Sequence, residues 1–440
     1  MTPPPVPPPF DDVRMRGFRT RTEVAAVVAL LDARTAPLPG EPVALAAAAG
    51  RVLATAVVAA ADVPGFERAA MDGFAVRAAD TTAADAARPV VLELVGVALP
   101  GRPFAGMVGT GRAVRVTTGA PLPAGADAVV VAEVAAEIAG GRVAVRAAVA
   151  AGKHVGRVGE DVAKGRAILP AGRVLRPQDV GLIAAVGVGV IAAVRRPRVA
   201  LLVTGEELLP PGTMPTGYRI VDSNSPMLAA LIARDGGIPF PVRYLPDHYE
   251  SVRDAIRDAA ADVLLVSGGT SVGAEDHAPR VLAEVGELAV HGIAVRPAGP
   301  TGVGFVVKGR TGEAEGPAVP PLHPFTPSPA HVFLLPGNPV ACLCAYDLFA
   351  GRVVRRLGGR AWGLPYRRAT LPLAAGLASA VGRVDYVRVR VEGGQVYPVA
   401  GGGASNLSSA VVAGGFVLID HARAALAAGE MVEVHLYDAA

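Results

Sequence analysis

Short apolar runs alternate with amphipathic segments between residues 198 and 358. The apolar runs are rich in Val and Leu and end in Gly, Pro or hydroxylic residues, as buried strands do. The amphipathic segments have apolar residues at helical spacing, most of them after a polar first residue. This alternation predicts a mostly parallel sheet with helices on its faces. The predicted strands are 198–205, 240–246, 262–269, 288–295, 302–309 and 331–337, and the predicted helices are 223–237, 248–261, 278–286 and 338–359.

The rest of the chain follows other patterns. Residues 63–149 contain short Val-rich runs separated by turn signals, which indicates a small β-rich domain. Residues 1–10 have the composition of a polyproline tail, and the second half of 10–34 has helical character. The Pro- and Gly-rich segment 309–330 is predicted to be a mobile loop.

The C-terminal region is predicted to be β. Val387, Val389 and Val391 alternate with Arg388 and Arg390, and Gly393-Gly394 supplies a hairpin turn. We therefore predict a multidomain α/β protein. Its parts are a helical linker domain (1–62 and 150–195), a small β-rich domain (63–149), a central α/β domain with a mostly parallel sheet (196–358) and a C-terminal β domain (359–440).

Composition narrows the class of protein. Of the 440 residues, 51% are hydrophobic and 18% are charged, which is typical of a folded protein. The net charge of +3 is small and no dense basic run with interleaved aromatic residues occurs, so nucleic acid is not expected as a partner. The longest apolar stretch, 180–194, is too short for a membrane span of about 20 residues, and the N-terminus lacks a signal-peptide pattern. Cys342 and Cys344 suggest neither a disulfide nor a chelate, and a cytoplasmic location is expected.

Acidic residues follow several of the predicted strands. Because ligands bind at the carboxyl ends of parallel strands, Glu207, Asp247 and Asp276 are expected to converge at one sheet edge. Carboxylates there suit Mg²⁺, which shares its ligand shell with phosphate oxygens and water. A simpler interpretation of Asp247 and Asp276 is that each caps the helix that follows it.

Two further segments have both a functional and a structural interpretation. PGNP at 336–339 predicts a rigid loop, in which the glycine opens positive φ; it could equally be a turn that places Pro339 at the first helical position. Asp72-Gly73 by itself is best explained as a hairpin turn.

Common enzyme motifs are absent from the sequence. Residues 187–192 fit G-x-G-x-x-A, but a charged link and a strand follow where a dinucleotide fold needs a helix. Lys153 is followed by His154 rather than Ser or Thr, so there is no Walker A loop. Neither H-E-x-x-H nor G-x-S-x-G occurs, which argues against zinc proteases and common serine hydrolases.

Seven ordered segments together resemble one family. AAMDGFAV, VTTGAPLPAGADAVV, GEDVAKG, VTGEEL, VDSN, SGGTSVGAED and LLPGNPV are similar to the motifs of the molybdopterin molybdenumtransferases, whose relatives include the gephyrin E domain. The likeness runs over nearly the whole chain. It implies a molybdopterin-binding α/β domain, a linker domain that serves in dimerisation, and the last step of molybdenum cofactor assembly.

In that step, adenylylated molybdopterin and molybdate give the cofactor and AMP, with Mg²⁺ assisting. The resemblance implies a homodimer whose site lies between the α/β domain of one subunit and the small β domain of the other. Molybdopterin adenylyltransferase and molybdoenzyme apoproteins are candidate partners. The implied catalytic residues are Asp72, Thr118, Glu207, Asp247 and Asp276, with the last three as metal ligands, and the implied binding residues are Asp222, Ser267, Gly268, Gly269, Ser271, Pro336, Gly337, Asn338, Pro339 and Arg388.

The chain departs from the family pattern at several positions. Gly156, Gly292 and Gly299 stand where basic residues are usual, which should weaken anion binding. Lesser departures are Glu206, His248, Arg296 and Ala341. Two alternatives therefore stay open: a catalytically weak protein that stores, delivers or scaffolds molybdopterin, and a nucleotide pyrophosphatase, which would leave the β domains unexplained.

Overall fold

The computed structural model describes residues 15–270, 273, 276–307, 329–399 and 403–437. The predicted polyproline tail and nearly all of the predicted mobile loop lie outside these residues. The chain divides into two compact units. We call Gly40–Ala193 the small unit, and Met1–Pro39 with Val194–Ala440 the large unit. The division into four domains stays a prediction.

The large unit begins with helix α1 (Val24–Arg34), which confirms the helical character of this segment. The small unit follows and is mainly β. Its largest sheet has six strands in the order β7-β4-β6-β5-β9-β8, around a core that includes Val76, Leu92 and Val130. The elements from Gly40 to Val194 are β1 (Gly40–Ala44), β2 (Val57–Val58), β3 (Arg68–Ala69), β4 (Gly73–Val76), β5 (Val90–Ala98), β6 (Arg112–Val116), β7 (Ala128–Val131), β8 (Ala135–Ile138), β9 (Arg142–Val145), β10 (Val155–Gly156), β11 (Ala167–Leu169), α2 (Pro177–Ala185) and β12 (Val190–Val194).

The central part of the large unit is the predicted α/β layer structure. Its seven-stranded sheet has the order β16-β13-β18-β22-β21-β19, with β17 also paired to β13. The pairs of β13 and the β18–β22 pair are parallel, and β21 and β19 add an antiparallel edge. The elements are β13 (Arg198–Thr204), β14 (Leu208–Leu209), β15 (Ile220–Val221), α3 (Asn224–Arg234), β16 (Ile238–Pro239), β17 (Arg243–Leu245), α4 (Tyr249–Asp258), β18 (Val263–Ser267), α5 (Ala278–Val285), β19 (Glu287–His291), β20 (Val295–Arg296), β21 (Gly302–Val306), β22 (Ala330–Leu335), α6 (Pro339–Ala345) and α7 (Gly351–Leu357).

Both faces of this sheet are buried, which explains why its strands are continuously apolar. Successive side chains of a strand point to opposite faces. Leu201 and Leu265 accordingly belong to a core with α1, α3, α6 and α7, whereas Leu202 and Leu264 belong to a core with α4 and α5.

Two predicted elements differ in the structure. The predicted strand 288–295 is split, because β19 ends at His291 and β20 joins a different sheet. The predicted helix 338–359 is interrupted by a π-helical turn, Tyr346–Ala350, between α6 and α7.

The C-terminal part of the large unit contains a six-stranded sheet in the order β20-β25-β27-β29-β23, with β26 paired to β25. The predicted Gly393-Gly394 hairpin is confirmed, with Glu392 opposite Gln395 and positive φ at both glycines. The elements are β23 (Arg367–Pro372), β24 (Leu377–Ala378), β25 (Val384–Glu392), β26 (Gln395–Pro398), α8 (Leu407–Val411), β27 (Gly415–Ile419), β28 (Ala425–Leu426) and β29 (Met431–Leu436). Among the described helices of the whole chain, none has the length and apolar character needed to cross a bilayer.

Candidate functional site

Three loops leave the parallel sheet of the large unit side by side. Val203 of β13 lies opposite Ser267 of β18, and Ser267 lies opposite Leu335 of β22. The loops that follow these strands, 205–207, 268–277 and 336–338, therefore start at one edge. The strand and helix order predicts such a row of loops, and the convergence of Glu207, Asp247 and Asp276 within it stays a prediction.

Asn224, the first residue of α3, joins the last residue of β18 to the loop after β22. Its side-chain amide donates hydrogen bonds to the Ser267 hydroxyl at 3.0 Å and to the Gly337 carbonyl at 2.7 Å. The Asn224 Oδ1 atom is buried and has no hydrogen-bond partner among the described residues. Sequence reasoning missed this residue, although it closes the VDSN segment directly after β15.

Asp222 is a buried carboxylate that organises the start of α3. It accepts hydrogen bonds from the backbone N–H groups of Asn224 and Ser225, at 2.8 and 3.1 Å, and from the Ser225 hydroxyl. The Tyr244 hydroxyl donates a further bond at 2.9 Å. Asp222 thus lies next to the predicted binding loops, with its oxygens occupied by protein donors.

The glycines after β18 are required by packing. Gly268 and Gly269 have φ values of +90° and +59°. A Cβ atom at Gly268 would overlap the carbonyl oxygen of Thr204, at the end of the neighbouring strand. The loop is tied down beyond them, because the Thr270 hydroxyl donates to the Leu335 carbonyl at 3.0 Å and the Thr270 carbonyl lies 3.1 Å from His291 Nε2. The predicted binding residue Ser271 lies outside the described residues.

The PGNP segment forms the turn from β22 to α6. Pro339 is the first residue of α6 and Asn338 precedes it, as the structural interpretation expected. Gly337 does not have positive φ, so the prediction that this loop needs a glycine for its backbone conformation was wrong. Its carbonyl instead accepts the bond from Asn224, and a Cβ atom there would come no closer than 3.9 Å to Gly268.

Asp247 and Asp276 are not helix caps. The N-cap residues of α4 and α5 are His248 and His277, and neither helix has a side-chain cap. The Asp247 carboxylate accepts the N–H of Glu206 at 3.3 Å, which brings the loops after β13 and β17 together. Asp276 accepts the N–H of Gly273 at 2.6 Å, within its own loop.

The three predicted metal ligands do not form a closed ligand set. In the part of the chain that the structure describes, no group of three or more His, Cys, Asp or Glu side chains could hold a metal ion. Asp247 lines a small cavity with Thr204, Gly269 and His277, which places it beside the glycine loop. The Glu207 carboxylate lies close to Gly205. The assignment of these carboxylates to a metal stays a prediction.

Arg388 is a buried residue of β25, in the six-stranded sheet of the C-terminal part. Its guanidinium donates to the Gly403 carbonyl at 3.4 Å and to the Ser409 hydroxyl. Burial lowers its pKa from the ordinary value of 12.5. The next carbonyl, that of Ala404, accepts the N–H of Val340 in the first turn of α6 at 2.9 Å. Arg388 is therefore connected to the helix that follows PGNP.

In the small unit, Asp72 and Thr118 form a pair. The Asp72 carboxylate accepts the backbone N–H of Thr118 at 2.6 Å and its hydroxyl at 2.8 Å. The backbone bond, and then the hydroxyl bond, lower the pKa of Asp72. Because β4 pairs with β6 and β7 rather than with β3, Asp72-Gly73 is not a hairpin turn between paired strands.

The three glycines at which the resemblance leads us to expect basic residues have different surroundings. Gly156 lies opposite Arg68 in the β3–β10 pair, and a Cβ atom at Gly156 would lie 3.2 Å from Arg68 Cγ. Gly292 has a φ of +89°, and a Cβ atom there would overlap the Phe18 ring. A Cβ atom at Gly299 would meet only ordinary contacts, the nearest being the Val295 carbonyl oxygen at 3.4 Å.

Family comparisons agree with this arrangement along the chain. Residues 22–187 match the MoeA N-terminal region (domain I and II), 200–356 match a probable molybdopterin binding domain, and 370–437 match the MoeA C-terminal region (domain IV). The fold and its sheet-edge loops thus define a molybdopterin-binding protein of molybdenum cofactor biosynthesis.

Similar proteins assign the family. Molybdopterin molybdenumtransferase 2 of Mycobacterium tuberculosis is 35% identical over 78% of this chain and 81% of its own length. The molybdopterin molybdenumtransferase of Haemophilus influenzae is 28% identical over 91% of this chain and 95% of its own length. The crystal structure of the molybdopterin biosynthesis protein MoeA from Pyrococcus horikoshii is 30% identical, with a TM-score of 0.78 over 96% of this chain and 100% of that chain. The chain belongs to the MoeA family.

Proposed function

We propose that this protein is a molybdopterin molybdenumtransferase, which inserts molybdate into adenylylated molybdopterin and releases AMP. The observation that carries the proposal is the Asn224 amide, which joins Ser267 at the end of β18 to the PGNP loop at one sheet edge. Strand-end loops held together in this way suit a ligand that has both phosphates and a second anionic group. Relatives named for this activity support the same function.

Each loop has a proposed role. The backbone at Ser267, Gly268 and Gly269, with Ser271, would hold the phosphate or pterin part of the substrate. Pro336, Gly337, Asn338 and Pro339 would border the molybdate, and the buried Arg388 would attract it by charge. Asp222 would act indirectly, since its oxygens bind α3 and Tyr244. Asp72 and Thr118 would be contributed by the second subunit of a homodimer.

Mg²⁺ is proposed to enter with the substrate. It needs few protein ligands when phosphate oxygens and water fill the rest of its shell, so a closed cage of protein ligands is not required. Asp247, Asp276 and Glu207 are the candidate ligands. When bound, the ion would supply charge neutralisation at the pyrophosphate linkage that breaks.

A binding protein with weak catalysis is the second candidate. The observation that favours it is the lack of side chains at Gly292 and Gly299, where the family pattern has cations. Each missing charge-assisted contact would weaken anion binding by about 1.5–3 kcal/mol. Such a protein would bind adenylylated molybdopterin and release no AMP when molybdate is added.

The two candidates are separated by measuring AMP release. The purified full chain is mixed with adenylylated molybdopterin, Mg²⁺ and molybdate, and AMP is followed by chromatography. We expect release by the wild-type chain and a loss of at least about 100-fold for Asp276→Ala, because a charge-stabilising group is removed. The control is Asp258→Ala, an exposed acid paired with Arg257 on α4. Equal rates in the Asp276 and Asp258 variants would remove Asp276 from the site.

A further inference from the structure

The helix that follows the PGNP loop has an irregular centre. Its π-helical turn, Tyr346–Ala350, lies between α6 and α7 and is fully buried. Single π-helical turns often occur where a side chain must be placed for function. Asp347, the second residue of this turn, has no exposed surface.

The Asp347 carboxylate accepts hydrogen bonds from three other parts of the chain. The hydroxyls of Tyr366 and Tyr386 donate hydrogen bonds to the carboxylate oxygens at 2.8 and 3.1 Å. The guanidinium of Arg234, at the end of α3, donates a third at 3.3 Å. Burial raises the pKa of Asp347, whereas the Arg234 charge lowers it. A carboxylate at such a position destabilises the fold unless it is well bonded, so the donors must be held in place.

Tyr386 is fixed from both sides. Its hydroxyl donates a hydrogen bond to Asp347, so in the 2.7 Å contact between the hydroxyls of Tyr386 and Tyr437 the Tyr437 hydroxyl is the donor. Its ring is stacked on Phe416, with 4.1 Å between the ring centroids. This tyrosine therefore has one position relative to the helix that contains Asp347.

Tyr386 and Arg388 are two residues apart on β25, so their side chains lie on the same face of the strand. Arg388 lies directly opposite Phe416, the residue on which Tyr386 is stacked. The strand position that holds Tyr386 is thus shared by the backbone of Arg388, whose guanidinium then donates to the Gly403 carbonyl and the Ser409 hydroxyl. The helix that contains Asp347 begins at the PGNP loop, because Pro339 is the first residue of α6.

We propose that Asp347, acting through Tyr386, is a positioning residue that sets the distance between Arg388 and the PGNP loop and thereby the affinity for the oxyanion substrate. This inference rests on the proposed function, since it assumes that Arg388 attracts molybdate. The helix from α6 to α7 then places both parts of the oxyanion site. Its first turn holds the PGNP loop, and Asp347 in its π-helical turn holds Arg388 through Tyr386. The partners of Asp347 among the described residues are Arg234, Tyr366 and Tyr386, which lie outside the glycine loop after β18 that would hold the nucleotide end.

The decisive variant is Tyr386→Phe. It removes one hydroxyl and keeps the ring stack on Phe416, so the fold should persist. Asp347→Asn is the second variant, because it keeps the shape of the side chain. Tyr397→Phe is the matched control: Tyr397 lies on β26 of the same sheet, and its hydroxyl donates to Gln395 at 3.1 Å rather than to Asp347.

Binding of sodium molybdate and of AMP to the full chain is measured separately by calorimetry. We expect Tyr386→Phe and Asp347→Asn to weaken molybdate binding about tenfold, as is common when a residue that orients a ligand-binding group is changed. AMP affinity should stay within about twofold, and Tyr397→Phe should behave as the wild type for both ligands.

The outcomes separate the inference from the proposed function. If the wild type binds molybdate and Arg388→Ala does not, while Tyr386→Phe binds it normally, the positioning role is wrong and the proposed function stands. Parallel loss of molybdate and AMP affinity in Tyr386→Phe would indicate a general structural role and also overturn the inference. If Arg388→Ala binds molybdate as well as the wild type, the proposed oxyanion site itself is wrong.

Discussion

Gly292 and Gly299 differ in what a side chain at each would meet. Gly292 has positive φ, and a Cβ atom there would overlap the Phe18 ring, whereas Gly299 has neither constraint. A Cβ atom is therefore tolerated at residue 299 and not at residue 292. The neighbouring N-terminal segment, which donates the Thr22 N–H to the Gly292 carbonyl at 3.0 Å, fixes this difference.

Gly299→Lys should fold as the wild type and increase molybdate affinity, because its Cβ atom meets no close contact. It adds a cation three residues before Gly302, which lies opposite Leu334 near the end of β22 and the PGNP loop. Gly292→Arg should lower the stability of the fold by about 1–3 kcal/mol. Denaturant unfolding and molybdate calorimetry measure the two effects. Equal stability of the two variants would show that Phe18 does not restrict residue 292.

His331, near the start of β22, is buried, and we expect it to make the stability of the fold depend on pH. Its Nε2 atom lies 3.0 Å from the Thr35 hydroxyl, which itself donates to the Leu31 carbonyl at 2.6 Å. Since the Thr35 hydroxyl proton is used on Leu31, the imidazole donates to Thr35 through Nε2, and its Nδ1 atom has no hydrogen-bond partner among the described residues. Burial lowers the pKa of His331 to about 4, from 6.5.

The sign of the pH effect follows from this pKa. Below pH 6.5 the unfolded chain binds a proton at residue 331 that the folded chain does not take up until about pH 4. Stability should therefore fall as the pH drops through this window, by up to about 3 kcal/mol from this group. Urea unfolding at pH 7 and pH 4.5 should show a smaller difference for His331→Gln than for the wild type. The same difference in both chains would contradict the prediction.

At the scale of elements, the loops after β18 and β22 each contain a glycine, and the structure constrains the two glycines differently. Gly268 is held at positive φ against the Thr204 carbonyl, whereas Gly337 contributes its own carbonyl and leaves room for a side chain. Substitution of the glycine is therefore less tolerated in the loop after β18 than in the loop after β22.

Gly268→Ala should move the loop after β18, because strain at positive φ and overlap with Thr204 cannot both be relieved in place. We expect AMP binding to fall at least about tenfold and the melting temperature to drop. Gly337→Ala should change neither by a measurable amount. Calorimetry and thermal denaturation test both variants; normal AMP binding by Gly268→Ala would mean that this loop does not hold the nucleotide.

At the scale of the whole molecule, the proposed homodimer divides the catalytic residues between subunits. Asp72→Ala and Asp276→Ala should each inactivate the homodimer. Co-expression of the two variants in equal amounts should restore about a quarter of the wild-type activity, because half of the dimers are mixed and each has one intact site. The readout is AMP release by dimers isolated by size-exclusion chromatography. If each site is built within one subunit, no activity returns.

Sequence alone determined the layer structure and the row of candidate loops. Apolar runs such as 198–205 and 262–269 are read correctly because a strand buried on both faces needs no distant partner to be recognised. The order of strands and helices then places Thr204, Ser267 and Leu335 at one edge. The resemblance carried by SGGTSVGAED and LLPGNPV identified the family for the same local reason.

Only the tertiary structure decided how these loops are held. Asn224 bonds partners 43 and 113 residues away, and the Tyr386 partner of Asp347 is 39 residues away, so neither role is visible in a local pattern. The same holds for Gly268, whose requirement comes from the Thr204 carbonyl of the next strand. Buried hydrogen bonds and close backbone contacts depend on which surfaces pack together, and that is set by the whole fold rather than by the residues on either side.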